Sequence, residues 1–284
     1  MAYLWLFVLG TAAGSFLNVL ALRYDPDKFL LSVEVVGGRS RCPRCGRTLL
    51  WFELIPVLSF VFERGRCLGC GERINIRYPI VEIIGGLVFV LVPLSLFSPA
   101  ASPADYYIKS AVWIFIFSTL LLVSLIDLRL SIIPDEANIF LAVLGAILVF
   151  VSRSEFGLTE GSFLGSYSLI FGWRGDIWTN RVVAILAAGA LFGFIILITR
   201  GKGMGMGDLK LSLPLGMILG WPDFLIMSSI GFILGSIVGA WSVIRGKKTG
   251  KSPLPFGPFL ASATLVVFLF GKRLADLYFS LFIG

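Results

Sequence analysis

The fold is constrained most by a series of eight apolar stretches separated by short polar or basic segments. A helix needs about 20 consecutive apolar residues to cross the hydrocarbon core of a bilayer. The stretches that meet or approach this length are residues 3–22, 79–97, 110–126, 134–151, 182–199, 209–220, 224–244 and 256–270. With 57% hydrophobic and only 14% charged residues, the chain has a membrane composition. We therefore predict an all-α polytopic membrane protein with about eight transmembrane helices.

The sixth stretch, residues 209–220, is the shortest of the series. At about 1.5 Å per residue it cannot cross the bilayer along the membrane normal. It is followed by Gly220-Trp221-Pro222-Asp223, a sequence that ends helices. We predict that it forms a tight helical hairpin with the seventh stretch.

The distribution of lysine and arginine predicts the orientation of the chain in the membrane. The first stretch lacks a basic segment before it and is followed by Arg23, so a retained anchor with an external amino terminus is expected. The internal loops are then residues 23–78, 127–133, 200–208 and 245–255, which hold most of the basic residues. Topology thus accounts for the net charge of +7, and no nucleic-acid partner is predicted.

All four cysteines lie in the longest internal loop, as two Cys-x-x-Cys-Gly units. In such a unit the glycine can take a positive φ while backbone N–H groups point at the thiolates, and two units complete a tetrahedral zinc shell. Two disulfides and a redox pair are the alternatives, and a reducing cytoplasm disfavours disulfides. We predict a structural Zn²⁺ that supplies folding energy to a small zinc-ribbon-like domain, held by Cys42, Cys45, Cys67 and Cys70.

Two carboxylates stand at the ends of apolar stretches that are both placed on the inner side. Asp127 closes the third stretch, and Asp208 follows Gly205 and Gly207 at the start of the sixth. The chain has no histidine, which removes Ser-His-Asp catalysis. Two acids at one membrane depth can share a water and a proton as general base and general acid. The alternative is that each acid only caps a helix and pairs with Arg129 or Lys210.

Two further functions compete with acid-pair catalysis. A transporter could use intramembrane acids as a proton or cation relay, with the cysteine module in a regulatory role. A Ser-Lys peptidase could use Ser59 or Ser212 as nucleophile with Lys210 as base. The transporter does not explain why both acids fall at the inner boundary, and nothing in the sequence positions the serine and lysine together.

The chain resembles the bifunctional type IV prepilin peptidases, which are leader peptidases and N-methyltransferases. The resemblance covers nearly the whole chain and runs through six motifs in order. These are Gly14-Ser15-Phe16-Leu17-Asn18-Val19, the Cys-x-x-Cys pairs around Glu53-Leu54-Ile55-Pro56, Arg77-Tyr78-Pro79 with Glu82, Asp127 through Pro134-Asp135, Gly205-x-Gly207-Asp208 with Lys210, and Pro255-Phe256-Gly257-Pro258.

The resemblance implies an aspartic protease of the Gly-x-Gly-Asp class in the bacterial inner membrane, with Asp127 and Asp208 as catalytic pair. Gly205, Gly207 and Lys210 would support the motif. The substrates would be type IV prepilins or type II secretion pseudopilins, cut on the cytoplasmic side between a basic leader and a membrane helix. The expected domains are a first helix (1–22), a cysteine loop tied to methylation (23–78) and a peptidase domain (79–284).

The same resemblance implies methylation of the new amino terminus from S-adenosylmethionine. No nucleotide-binding glycine motif follows a strand in the loop, so the sequence alone does not predict this activity. Weak candidates for contacts with the methyl donor are Gly65, Arg66, Glu53 and Glu82. Leu54 replaces the usual Asn and Arg66 the usual Lys, and a long external loop over 152–180 has no predicted role.

Overall fold

The fold is mainly helical. The computed structural model describes residues 1–30, 32–97, 102–153, 161–172, 175–246 and 254–283. The helices are α1 Ala2–Arg23, α2 Val33–Val36, α3 Leu58–Phe62, α4 Arg77–Leu96, α5 Pro103–Leu130, α6 Asp135–Ser152, α7 Ile177–Thr199, α8 Met206–Leu219, α9 Asp223–Ile244 and α10 Gly257–Ile283. Two short 3₁₀ helices, Trp51–Leu54 and Gly165–Phe171, are added to these. Within these ranges the β structure consists of isolated bridges.

Seven helices in the described ranges are long and apolar enough to cross a membrane: α1, α4, α5, α6, α7, α9 and α10. They confirm the prediction of an all-α multi-pass membrane protein. The remaining predicted span, the sixth stretch, is α8, which has 14 residues and so a length of about 21 Å. That length is about two-thirds of the hydrocarbon thickness, as the short sixth stretch predicts.

The chain divides into two compact units, Met1–Leu125 and Ile126–Gly284. In the first unit, α1 packs along α4 through facing glycines. A Cβ on Gly10 would lie 2.5 Å from the Gly85 carbonyl oxygen, and one on Gly14 would lie 2.7 Å from the Val81 oxygen. Only glycine permits this backbone approach, which is how helices associate where lipid supplies no hydrophobic drive.

Helix α4 begins at Arg77, two residues before the predicted start at Pro79. Glu82 is therefore the sixth residue of the helix and lies in its second turn. Its carboxylate accepts a hydrogen bond from the Val57 backbone N–H at 2.7 Å. Val57 has φ of 62°, an unusual value for a β-branched residue, and this bond helps to hold the strained turn.

In the second unit, α8 packs chiefly against α6 and α7. A Cβ on Gly216 would lie 2.9 Å from the Ala184 oxygen in α7, and one on Gly145 of α6 would lie 3.2 Å from Ile218. The short connection from α8 to α9 agrees with the predicted turn. The main packing partners do not follow from the sequence, since the predicted hairpin pairs α8 with α9.

The backbone groups at the carboxyl end of α8 form hydrogen bonds with side chains near the start of α7. Arg181 donates to the Ile218 carbonyl at 3.1 Å, and the Asn180 amide donates to the Trp221 carbonyl and accepts its N–H. Backbone groups at membrane depth need such partners, because lipid offers none. A helix that stops short of the opposite surface is therefore tolerated here.

The described part of the long loop between α6 and α7, residues 161–172, lies over this chain reversal. The Phe171 carbonyl accepts a hydrogen bond from the Trp221 indole at 3.0 Å, and Ser162 donates to buried Asp223 at 3.0 Å. The Tyr167 ring stacks on Phe279 of α10 at 4.5 Å between centroids. Residues 154–160 and 173–174 of the loop lie outside the described ranges.

Candidate active site and four-cysteine centre

Asp127 lies in the last turn of α5, which extends to Leu130 and so continues past the predicted end at residue 126. The residue is 4% exposed. Its Oδ2 accepts the backbone N–H of Gly257, the first residue of α10, at 2.8 Å. A Cβ on Gly257 would lie only 2.9 Å from that oxygen, so this approach requires glycine.

Asp208 is the third residue of α8, and its Oδ2 accepts the Gly205 N–H at 3.1 Å. This bond is the capping arrangement in which an acid at the third helical position reaches back to the residue before the helix. Gly207 faces Ile133, and a Cβ on it would lie 3.4 Å from the Ile133 Cβ. The predicted glycines therefore bring the start of α8 against the segment that follows α5.

The second unit brings the two acids together. Asp208 lies close enough to Asp127 for the two carboxylates to interact electrostatically. Each carboxylate also accepts a backbone N–H, so its orientation is set by the main chain. Two carboxylates that interact and that are each bound by one backbone N–H have the composition of an acid–base pair.

Lys210 forms an ion pair with a different acid from the one considered in the sequence analysis. Its ammonium contacts both carboxylate oxygens of Asp135, each at 2.8 Å. The alternative in which Lys210 pairs with Asp208 is therefore not what the structure contains. The same ion pair occupies the proposed base of a Ser-Lys peptidase, and the hydroxyl of fully buried Ser212 donates to the Leu209 carbonyl.

The four cysteines of the loop form one cluster, in which all the Sγ atoms lie within 4.8 Å of one another. Each pair sits in a small hairpin, closed by bridges between Arg41 and Thr48 and between Arg66 and Arg73. The glycine after each pair has φ of +71°, as the Cys-x-x-Cys-Gly pattern predicts. All four thiols are free rather than joined in disulfides.

The cluster fits a tetrahedral metal. With Zn–S bonds of about 2.3 Å, two sulfurs of a tetrahedron are about 3.8 Å apart, and Cys42 Sγ lies 3.9 Å from Cys70 Sγ. Hydrogen bonds from the backbone N–H groups of Cys70 and Gly69 lower the pKa of Cys67 to about 6, whereas desolvation and the neighbouring thiols raise the pKa of Cys70 to about 11. The Cys67 thiol is therefore largely ionised at neutral pH, and the thiolate is the form that binds zinc.

The four methyl-donor candidates lie in or beside the same loop. The buried Glu53 carboxylate pairs with Arg47 and accepts the Leu50 N–H at 2.7 Å, while Glu82 holds Val57. Both acids thus shape residues 50–57. Gly65 has φ of +66°, and Arg66 is exposed beside the second hairpin. Contact of these four residues with a methyl donor stays a prediction.

Three contacts of this region are not evident from residue spacing. They are the Gly257 N–H on Asp127, the pair of Lys210 with Asp135, and the bond from Val57 to Glu82. Each joins residues that are far apart in the chain. The motif around Pro255 and Phe256 marks the first of them, but the sequence alone assigns it no partner.

Comparison with known proteins identifies two family domains in the chain. Residues 8–96 match the bacterial peptidase A24 N-terminal domain, and residues 113–240 match the type IV leader peptidase family. No solved structure matches the chain significantly.

Several curated proteins align with nearly the full chain. A prepilin leader peptidase/N-methyltransferase of Bacillus subtilis is 29% identical over 280 residues, which cover 98% of this chain and 98% of that protein. Proteins with the same name from Burkholderia pseudomallei and Pseudomonas aeruginosa are 31% and 28% identical. These alignments cover 93% and 95% of this chain, and 84% and 91% of the relatives.

Proposed function

This chain belongs to the type IV leader peptidase family, and from that membership we propose how its residues process prepilins. It is a multi-pass membrane enzyme with a protease and a methyltransferase activity. The comparisons lend no support to a transporter. The proposal is that Asp127 and Asp208 form an aspartic endopeptidase pair. The observation that carries it is the convergence of these two acids in the second unit.

The hydrolysis follows from two carboxylates that share one proton. The ionised member takes a proton from a water that lies between them, and the resulting hydroxide attacks the carbonyl carbon of the scissile peptide bond. The protonated member donates to the carbonyl oxygen. Collapse of the tetrahedral intermediate breaks the C–N bond, and the leaving nitrogen takes a proton from the pair. No other catalytic side chain is required.

The place of the acids at the ends of helices suits the substrate that we propose. A prepilin or type II secretion pseudopilin has a short basic leader followed by a membrane helix. If its helix lies in the bilayer, the bond between leader and helix lies at the membrane boundary. Asp127 in the last turn of α5 and Asp208 in the first turn of α8 reach the same boundary. We place this boundary on the cytoplasmic side of the bacterial inner membrane.

The cysteine loop is proposed to be the module associated with methyl transfer. S-adenosylmethionine, when bound, supplies the methyl group for the freed amino terminus. Cys42, Cys45, Cys67 and Cys70 would hold a structural zinc ion, which contributes folding energy to a loop too short for a core of its own. With four protein ligands the metal site is closed, so its role is structural.

The proposal is tested by incubating the purified chain with a prepilin and S-adenosylmethionine, and by reading cleavage and methylation in one mass spectrum. Asp127→Asn and Asp208→Asn are each expected to lose leader cleavage, by about 10⁴-fold or more, because the pair needs one ionisable member at each position. Asp135→Asn is the matched control: it removes the ion pair with Lys210 but leaves both acids of the proposed pair, so a loss of at most several-fold is expected.

Two results would contradict the assignment. Full cleavage by Asp127→Asn or Asp208→Asn would contradict the aspartyl mechanism. Loss of cleavage in Asp135→Asn equal to that of the pair variants would show that the assay does not distinguish catalytic acids from structural ones. A cleaved product without an added methyl group would separate the peptidase from the transferase.

A further inference from the structure

The cysteine loop carries an exposed apolar surface that the proposed function does not use. It is formed by residues 50–62, from the 3₁₀ helix at Trp51–Leu54 through α3, and we call it the 50–62 segment. Its most exposed side chains are Phe62 at 81%, Trp51 at 77% and Val61 at 64%. Leu50, Leu54 and Leu58 are also exposed. Aromatic and aliphatic side chains crowded on one short segment indicate a contact surface.

The contacts of the segment with α4 show its depth. Val57 donates to Glu82, which lies five residues, or about 7.5 Å, past the start of α4 at Arg77. Helix α4 has 20 residues and so a length of about 30 Å, equal to the hydrocarbon thickness. The first turns of α4 are therefore needed to cross the bilayer. A segment that is bonded to its second turn lies at the membrane boundary.

The cavity that the segment shares with α1 gives the same depth independently. A cavity of about 300 Å³ is lined by Leu54 and Pro56 of the segment and by Phe16 and Val19 of α1. Phe16 lies seven residues, or about 10 Å, before the end of α1 at Arg23. The 50–62 segment thus lies beside the last turns of one spanning helix and the first turns of another.

The charges around the segment agree with this position. Arg64 and Arg66 lie two and four residues after the end of α3, and both are exposed, whereas Glu63 between α3 and Arg64 is half-buried. Tryptophan and phenylalanine beside arginine are typical of chain segments that lie in the headgroup region, where the rings reach acyl chains and the guanidinium groups attract anionic lipid. At this depth, lipid is the partner available to the exposed aromatic rings.

We propose that the 50–62 segment is an interfacial anchor, which inserts Trp51, Val61 and Phe62 into the bilayer and fixes the cysteine loop against the membrane surface. The anchor would hold the hairpins at the level where a membrane-embedded substrate exposes its amino terminus. The inference concerns lipid contact, and it does not depend on which residues cleave the substrate.

The test uses the full chain in nanodiscs of phosphatidylethanolamine and phosphatidylglycerol, with photoreactive benzoylphenylalanine placed at one position at a time. Replacement of Phe62 or Trp51 keeps an aromatic side chain at an exposed site, so the fold is retained. Arg44, whose side chain is 72% exposed on the first cysteine hairpin, is the control position. After irradiation, mass spectrometry identifies the partner of each adduct.

Phospholipid adducts are expected at positions 62 and 51 and not at position 44. Adducts to a second copy of the chain or to an added prepilin, with none to lipid, would overturn the proposal in favour of a protein-binding surface. Equal lipid labelling at all three positions would also overturn it, because the loop would then contact lipid without a defined face.

Discussion

At the scale of single residues, the candidate site depends on main-chain groups as much as on its two acids. The Gly257 N–H holds one oxygen of Asp127, and the Gly205 N–H holds one oxygen of Asp208. These bonds orient carboxylates that would otherwise rotate about their terminal torsions. The oxygens left over are the ones that can hold the attacking water.

Gly257→Ala is expected to reduce leader cleavage by roughly 100-fold, because a displacement of about 1 Å at a reacting group can cost that much. The new Cβ would lie 2.9 Å from Asp127 Oδ2 and must push the carboxylate away. The measurement is kcat for a prepilin, with metal content and thermal midpoint as measures of folding. Gly239→Ala is the matched control, since its Cβ would lie 3.7 Å from a flexible leucine side chain. An unchanged kcat in Gly257→Ala would contradict the positioning role.

The sequence predicts the identities of the two acids but not the groups that hold them. Asp127 and Asp208 stand out because an acid next to an apolar span costs free energy that packing does not return. Gly257 gives no such signal, since glycines are frequent in membrane helices. Its role depends on how the chain folds between it and Asp127, which lies 130 positions earlier in the sequence.

At the scale of helices, the beginning of α8 is held against the beginning of α6 by the ion pair of Lys210 and Asp135. Both side chains are at least half exposed. Such a pair adds at most about 1 kcal/mol to stability. We expect its effect to be on alignment, because Lys210 lies two residues after Asp208 in the first turns of α8.

Lys210→Asp and Asp135→Lys are each expected to lower kcat several-fold, because each places two like charges at one contact. The double variant, which restores the pair with reversed charges, is expected to recover most of the rate. The thermal midpoint should stay within a few degrees throughout, since the pair contributes little to stability. If the double variant is slower than both single variants, the ion pair is not what aligns α8.

The helix ends show where apolar patterns stop being informative. The last predicted span ends at residue 270, whereas α10 runs to Ile283. Lys272, Arg273 and Asp276 interrupt the apolar pattern, but the helix continues because it packs on the 161–172 segment. The backbone at Phe163 lies against Gly271, and Tyr167 stacks on Phe279. A hydropathy average over neighbouring residues contains no information about tertiary contacts of this kind.

At the scale of the whole molecule, the membrane helices and the cysteine loop have different sources of stability. The helices bury faces against one another and against lipid, and the glycines between α1 and α4 permit close packing. Among the described residues of the loop, the helices have only four or five residues each. We therefore expect metal binding by the four cysteines and ion pairs such as Arg47 with Glu53 to hold the loop together.

Replacement of both Cys42 and Cys67 by serine in the full chain is expected to abolish bound zinc and to unfold the loop between α1 and α4. Structural zinc contributes on the order of 10 kcal/mol to folding of small domains. Elemental analysis gives the metal content, and limited proteolysis of the chain in nanodiscs reports unfolding as new cuts within residues 24–76. Arg44→Ala, an exposed change on the same hairpin, is the control. Full metal content in the double cysteine variant would contradict a four-cysteine site.

The far end of α8 has a consequence for the supply of water to the two acids. Ile218, Leu219 and Gly220 are buried by protein, the Asn180 and Arg181 side chains fill the reversal, and the 161–172 segment lies over it. The described residues at this end of α8 are therefore enclosed by protein, at the opposite end of the helix from Asp208. With Asp127 and Asp208 as the proposed pair, we expect their water to come from the Asp208 end of α8, where Gly205 and Met206 are exposed, so that hydrolysis would need no continuous aqueous path across the bilayer.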